Sequence, residues 1–314
     1  MTTGNENRSY VAAHFALELA GVNDVCTVRS IEGGGLKADV MTYQPGATYE
    51  RWRQVGKPKF EDIKLQVGTA MSEPFFRWIS DFFAGTCVRK NGAIVAGDFY
   101  YKERARREFT EALITEFTFP KLDASDKNTC YMNVTLGVES IDYKKGDDSK
   151  TLDQQGNEAA QRAWKACNFQ FHLDGFEDTC ARVTKVDSFT IKMPVLEYHS
   201  GGSRTTSKTP TMIDFPNISF YLPEDDAQPF HDYMKKRVIK GEVPGRLHGQ
   251  LITLDNAKAT MFTLELFDCD LLNIAPDKSD ATSTEVKQVK VEMYVERMSF
   301  NYGGAYGADP PEPT

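Results

Sequence analysis

The sequence lacks the segments that carry a protein to or through a membrane. No hydrophobic run is long enough for a membrane-spanning helix, and residues 1–8 have no apolar core of signal-peptide length. Cysteine is also sparse, because six residues are scattered along the 314 and no two form a C-x-x-C pair. Metal-binding and redox motifs are therefore not indicated, and we expect reduced cysteines, no membrane anchor and no bound cofactor or metal.

Catalytic motifs are missing as well. The chain contains no G-x-S-x-G, H-E-x-x-H, Walker A or dinucleotide-binding glycine motif, and its five histidines are far apart in the sequence. Glycines 33–35 could cradle a phosphate, but no helical pattern follows them, which favours a bulge or bend in a sheet. The basic run at 102–107 is better interpreted as a salt-bridged turn than as a phosphate-binding patch. These absences favour a structural or assembly protein over an enzyme.

Acidic residues outnumber basic ones, 45 to 37, which gives a formal net charge of −8. A protein that reads nucleic-acid sequence usually carries a basic face, so this balance argues against such a role. It fits a surface past which DNA moves without binding, because like charges repel. The remaining composition, 40% hydrophobic and 26% charged, is that of a globular protein, and the length allows two domains.

The clearest local pattern is a strand followed by a helix at 60–85. Apolar and polar residues alternate over its first part, as in a strand with one buried face. Ser72 is placed to cap the helix, whose apolar residues share one face: Phe75, Trp78, Ile79 and Phe82. Phe76 and Phe83 flank that face, so we expect something beyond the helix's own domain to cover it.

The same strand–helix unit recurs about half a chain later, at 215–241. Pairs of similar residues keep a spacing of 154 or 155 positions across five elements. The pairs are Gly21 and Gly175, Cys26 and Cys180, Pro74 and Pro229, Trp78 and Tyr233, and Val134 and Val289. A near-constant spacing over such a distance predicts a tandem duplication.

Each copy is expected to be a mainly β domain with one helix. Strands are predicted at 14–19, 25–31, 36–43, 60–67, 92–101, 109–119 and 131–143, and the second helix at 225–241. Long polar connections are predicted at 45–58 and 199–213. The expected organisation is an N-terminal arm (1–12), a first domain (13–145), a linker (146–166), a second domain (167–302) and a flexible tail (303–314).

Several segments of the first half resemble one known family. They are the strand 15–19 with Gly21, the glycine-containing extended segment 28–43, the loop and strand 53–68, the helix 75–85, and the closing strands 109–122 and 131–143. In this order they are similar to the phage tail-tube protein family, which forms the inner tube of contractile tails and of related contractile injection systems. The second half resembles the family through the internal repeat. The duplication is a departure, because the family subunit usually has one such domain.

The resemblance implies two tandem antiparallel β-barrel or sandwich domains, each with one flanking helix. Sheets of neighbouring subunits would join around a lumen, and rings would stack into the tube of a virion tail assembled in the host cytoplasm. The implied partners are other copies of the chain, the tail sheath protein, and baseplate and terminator proteins. DNA or an effector protein would pass through the lumen without sequence-specific binding. Because both halves keep the helix and the polar connection, we favour a ring of three chains with pseudo-sixfold symmetry over a ring of six.

The residues that we assign to contacts within or between rings come from the polar connections and the first helix: Tyr49, Trp52, Arg53, Phe76, Phe83, Arg204 and Lys208. Two alternatives stay open at this point. One is a baseplate or tube-terminator protein of the same machine that forms a single ring. The other is a β-rich carbohydrate-binding or carbohydrate-cleaving module, whose mark would be paired carboxylates in a groove, and the sequence shows no such pair.

Overall fold

A computed structural model describes residues 14–22, 25–47, 49–152, 164–201, 205–242, 245–277 and 286–302 of the chain. The N-terminal arm and the C-terminal tail expected from the sequence lie outside these residues. The described chain is mainly β, as the sequence predicted. Every pairing between its named strands is antiparallel.

The elements divide between a first half, residues 14–152, and a second half, residues 164–302. The first half contains β1 His14–Leu19, β2 Cys26–Gly33, β3 Leu36–Tyr43, β4 Trp52–Phe60, β5 Ile63–Met71, α1 Glu73–Phe83, β6 Lys90–Gly97, β7 Glu103–Phe119, β8 Leu122–Asp123, β9 Met132–Gly137 and β10 Ser140–Lys145. The second half contains β11 Phe169–Leu173, α2 Glu177–Cys180, β12 Lys185–Val186, β13 Phe189–Lys192, β14 Val195–Tyr198, β15 Ser207–Pro210, β16 Ile218–Pro223, a 3-10 turn Glu224–Asp226, α3 Gln228–Met234, a π-helical turn Lys235–Ile239, β17 Leu247–Leu254, β18 Thr260–Pro276, β19 Gln288–Tyr294 and β20 Arg297–Tyr302.

The strands of the described chain form two eight-stranded sheets and two separate hairpins. The first sheet has the order β1–β6–β7–β9–β5–β2, with β10 and β13 also paired to β7. The second has the order β11–β17–β18–β19–β16–β12–β8, with β20 also paired to β18. The hairpins are β3–β4 and β14–β15. Each sheet thus contains one strand from the opposite half, β13 in the first sheet and β8 in the second.

The strand–helix unit of the first half forms close to the predicted place, although its strand begins at Ile63 and continues to Met71. Strand β5 has Ile63 and Leu65 buried and Lys64 exposed between them, the alternation of a strand with one buried face. Helix α1 follows directly and has a proline in its first turn, where the missing N–H costs nothing. Ser72 stands at the N-cap position, but its side chain makes no capping hydrogen bond.

The two halves repeat one another strand by strand. Every residue pair of hairpin β14–β15 lies 155 positions after a pair of β3–β4. From β7 onwards the spacing is 157, and the register irregularity between β7 and β9 recurs at the matching place between β18 and β19. Val134 therefore corresponds to Val291 and not to Val289: Val134 lies opposite Phe117, and Val291 lies opposite Ile274. A slip of two residues keeps the same face of a strand buried, so the alternation of apolar residues could not reveal it.

Several predicted element boundaries were wrong. The stretch 45–58 is not all loop, because its last part belongs to β4, which is mostly exposed and whose sequence has no regular apolar alternation. The strand predicted over 131–143 is two strands, β9 and β10. The helix predicted over 225–241 is a 3-10 turn, α3 and a π-helical turn in succession.

One hydrophobic core extends through both halves. Trp164, which the sequence placed in a linker, is buried in this core and contacts Phe119 and Phe262 at ring-centroid distances of 5.7 and 5.0 Å. Phe119 also stacks on Phe189 of β13 at 5.3 Å. The chain after β10 therefore joins two halves that are packed against each other.

Candidate assembly surfaces

The described residues hold no arrangement typical of a metal centre. No group of three or more His, Cys, Asp or Glu side chains among them is placed to hold a metal ion. No disulfide bond joins any of the six cysteines in the described chain. Burial raises the pKa of the Cys130 thiol to about 11 and the pKa values of Cys180 and Cys269 to about 12, so these three thiols stay protonated at neutral pH. In the described part of the chain, no helix combines the length and hydrophobicity needed to cross a membrane.

Helix α1 places both of its flanking aromatic residues against the second half of the same chain. Phe83 is only 2% exposed and stacks on Phe300 of β20 with ring centroids 5.7 Å apart. Phe76 contacts Phe300 and Tyr302 at 5.9 and 5.5 Å. The Ser80 hydroxyl donates a hydrogen bond to the Phe300 carbonyl at 3.1 Å. The helix is thus covered by β20 of the second half as well as by its own half, and the ring of Phe83 packs within the single chain.

A polar cluster at the same junction holds hairpin β14–β15. We name its members, Arg89, Glu111 and Glu139, the first clamp. The Arg89 guanidinium lies 2.6 Å from the Glu139 carboxylate and 3.5 Å from the Glu111 carboxylate. The clamp binds the backbone of Lys208, because Glu139 accepts its N–H at 2.8 Å and Arg89 donates to its carbonyl. The Lys208 ammonium lies 2.5 Å from Asp62, which completes the contact.

Lys208 is therefore buried within the single chain, and its assignment to a contact within or between rings stays a prediction. Arg204 lies outside the described residues. A second ion pair joins the two hairpins, with Lys59 Nζ 2.8 Å from Glu197 Oε1. Their hydrogen bond and opposite charges raise the pKa of Lys59 and lower the pKa of Glu197.

Hairpin β3–β4 presents a run of exposed apolar side chains to solvent. They are Leu36, Val40, Met41, Tyr43, Trp52 and Val55. Tyr49, in the loop that connects the two strands, is fully exposed. Soluble proteins seldom leave a contiguous apolar surface uncovered unless another molecule binds there. The structure thus brings the predicted residues Tyr49, Trp52 and Arg53 together on this hairpin, whereas Phe76, Phe83 and Lys208 lie at the junction between the halves.

Sequence reasoning missed the first clamp, because its members come from three separate segments that only the fold brings together. A signal for them was present in the internal repeat. An arginine and a glutamate recur 157 positions later, as Arg246 and Glu296. The spacing of 154 or 155 that was read from other pairs does not align them.

The sequence profile of one family matches most of the chain. The sequence profile described as T4-like virus tail tube protein gp19 matches twice, at residues 11–142 and 165–299. No curated protein sequence matches the chain. Among solved structures, a chain of the sheath–tube complex of an extracellular contractile injection system, PVC, is 16% identical with a TM-score of 0.40, over 46% of this chain and 99% of that chain. A chain of the anti-feeding prophage baseplate is 14% identical with a TM-score of 0.34, over 42% and 91%. An Hcp protein is 15% identical with a TM-score of 0.30, over 45% and 96%.

Proposed function

We propose, from the premise that this chain belongs to the T4-like virus tail tube protein gp19 family, that it builds the tube of a phage-type tail. The family consists of structural tube proteins, and the chain is a component of the virion tail. The profile matches each half separately, which confirms the duplication of the tube domain. The specific role proposed is that of a subunit that assembles into rings, which stack around a central channel.

The observation that carries this proposal is the exposed apolar hairpin β3–β4. A hairpin with no buried face gains nothing from folding alone, so its exposed side chains indicate a surface that is covered in an assembly. Rings also remove the free sheet edges that an isolated antiparallel sheet leaves open to aggregation. The tip of the hairpin, around the fully exposed Tyr49, is proposed to contact the next ring.

We assign three chains to each ring, so that six similar halves surround the channel. The strand-by-strand repeat supports this arrangement, because both halves keep the sheet, the helix and the hairpin that a wall position needs. A half that lay only on the outside of the tube would not need to keep its hairpin. The tail sheath protein is the proposed partner of the outer surface, and baseplate and terminator proteins are the proposed partners of the tube ends.

The cargo is proposed to be DNA or an effector protein that moves through the channel without specific binding. The net charge of −8 supports this role, since a negative wall repels phosphate. The family assignment gives no support to the carbohydrate-module alternative. A baseplate or terminator protein remains the second candidate within the same machine, and it differs from the first in forming one ring only.

Negative-stain electron microscopy of the purified chain tests the proposal. We expect rings with a central channel that stack into tubes at high protein concentration. Tyr49→Ser should leave rings but shorten or abolish tubes, whereas Phe99→Ser, which changes another exposed aromatic residue outside the hairpin, should leave tubes unchanged. Single rings from the unmodified chain would favour the terminator or baseplate role. Particles that remain monomeric at every concentration would overturn the proposal.

A further inference from the structure

We infer that the joint between the two halves of one chain is repeated between chains, so that the second half receives the first half of a neighbouring copy. The interface consists of a specific strand edge and a specific polar cluster. The inference rests on the proposed function, because only a chain that assembles needs such an interface. The internal repeat identifies which residues would meet, because each residue of the joint within the chain has a counterpart in the other half. Each part of the joint within the chain has a counterpart that is exposed and unoccupied among the described residues.

The first part of the joint is a strand edge. Strand β13 pairs with the C-terminal part of β7, with Ile191 opposite Phe117 and Lys192 opposite Glu116. The counterparts of Phe117 and Glu116 in β18 are Ile274 and Asn273, 157 positions later. This part of β18 pairs with β19 on one side, and no strand of the described chain pairs with its other side.

The segment that fits this edge is the start of β3. Residues 36–38 correspond to 191–193, because the hairpins that follow align at a spacing of 155. Ile191 is fully buried in the joint, whereas its counterpart Leu36 is 59% exposed. On the receiving edge Leu272 is 46% exposed. Pairing residues 36–38 of one chain with residues 272–274 of the next would cover apolar side chains on both.

The register of the new pairing follows from the existing one. Leu36 is placed opposite Ile274 of the neighbouring copy, and Lys37 opposite Asn273. Pro276 stands where β7 has Phe119, and proline has no N–H to add to a ladder. The pairing between chains is therefore expected to be shorter than the pairing within the chain, where Phe119 stacks on Phe189.

The second part of the joint is the polar clamp. The second half carries a copy of it, which we name the second clamp: Arg246, Asp268 and Glu296. Arg246 pairs with Glu296 and lies 3.8 Å from Asp268, as Arg89 does with its own two carboxylates. The second clamp is exposed, and the described chain places no hairpin backbone in it. The first clamp and the second clamp thus share a charge pattern but differ in occupancy.

The backbone that fits the second clamp is that of Arg53. It lies 155 positions before Lys208, at the matching place in hairpin β3–β4, and it is exposed. In the neighbouring copy, Glu296 would accept the Arg53 N–H and Arg246 would donate to the Arg53 carbonyl. Hydrogen bonds from charged groups to the backbone are among the stronger kind, which suits a contact that fixes register.

The third part of the joint is the helix contact. Phe83 of α1 stacks on Phe300 of β20 within the chain. Their counterparts are Ile239, the last residue of the second helical segment, which is 76% exposed, and Tyr143 of β10, which is also exposed. A repeated joint would bring Ile239 of one chain onto Tyr143 of the next. A joint repeated between chains would thus cover three separate exposed features: the strand edge, the second clamp and the end of the second helical segment.

Disulfide cross-linking in assembled particles tests the register directly. In a Cys87→Ser background, which removes an exposed thiol, Lys37→Cys with Asn273→Cys should form disulfides between chains after mild oxidation. Asp39→Cys with Asn273→Cys is the matched control, because it lies two residues out of register on the same face. Glu116→Cys with Lys192→Cys should cross-link within the chain and leave its mass on a non-reducing gel unchanged. Assembled rings that show no disulfide between positions 37 and 273 would overturn the inference while leaving the proposed function intact.

Arg246→Ala provides an independent readout. Because Arg246 is exposed, we expect the unfolding midpoint to stay unchanged while the fraction of chains in rings falls. Arg182→Ala is the control, since Arg182 also is an exposed arginine in an ion pair, with Asp226 at 3.1 Å. Equal ring yields for the two variants would count against the second clamp. Loss of every particle in the unmodified chain would instead refute the proposed function.

Discussion

At the scale of single residues, the backbone conformation is repeated between the two halves even where the side chains differ. Glu111 and Asp268 both have a left-handed φ, 52° and 56°, and Tyr101 and Lys258 have φ of 62° and 65°. Each pair is 157 positions apart. A non-glycine residue in this conformation costs on the order of 1–2 kcal/mol, so its repetition indicates a conformation that the fold requires.

The position of Glu111 explains that requirement. Strand β7 pairs with β6 and β10 mainly before this residue and with β9 and β13 after it. A local irregularity bends a strand and lets it change partners. The sequence could not predict these left-handed residues, because none of glutamate, aspartate, tyrosine and lysine indicates that conformation strongly.

Phe83→Ser tests whether this side chain stabilises the fold of its own chain or an interface between chains. The ring is enclosed by Phe117 and Phe300, so its loss should lower the free energy of unfolding by about 3–5 kcal/mol, the usual range for removing a buried aromatic ring. Urea denaturation of the unassembled chain measures the change. Phe99→Ser is the control, and its exposed ring should contribute less than about 0.5 kcal/mol. An unchanged midpoint combined with lost assembly would return Phe83 to an interface between chains.

At the scale of elements, the sequence predicted those with one buried face. Strand β5 and helix α1 showed clear periodicity because water lies on one side of each and the core on the other. Strand β4 was predicted as part of a polar connection, because most of its residues are exposed in the single chain and no apolar alternation arises, whereas β3 was predicted as a strand. The short strand β8 escaped prediction for a different reason: its partner β12 belongs to the other half.

The stability of the junction between the halves is expected to depend on pH through Asp123. Burial alone would raise the pKa of Asp123, but hydrogen bonds from Ser125 and the ion pair with Lys121 lower it to about 2. Ser125 Oγ lies 2.6 Å from the carboxylate, and Lys121 Nζ lies 2.9 Å from it. A lowered folded-state pKa contributes stability above the ordinary pKa of 3.8, and this contribution is lost as the pH falls through about 2.

Asp123→Asn should therefore lower the thermal midpoint at pH 7, and the difference from the unmodified chain should shrink between about pH 4 and pH 2. Thermal unfolding of the unassembled chain across this range measures it. Asp147→Asn is a matched control, because Asp147 accepts the same two hydrogen bonds, from the Ser149 side chain and backbone, in an exposed turn. Asp123→Asn with no larger effect at pH 7 than Asp147→Asn would show that the turn does not support the junction.

At the scale of the whole molecule, the sequence predicted the duplication and the family but not the way the halves join. The spacing of Gly21 and Gly175 was enough to indicate a repeat. The exchange of β8 and β13 between sheets depends on packing between residues far apart in the chain, which local patterns do not encode. The same holds for the first clamp, whose members come from three separate segments that only the fold brings together.

In the proposed assembly, both halves of each chain lie in the wall of one ring. Native mass spectrometry of assembled rings measures it most directly, because it counts chains per particle. We expect three chains in each ring, with six similar halves around the channel. Rings of six chains would contradict it, because half of the domains would then lie outside the wall.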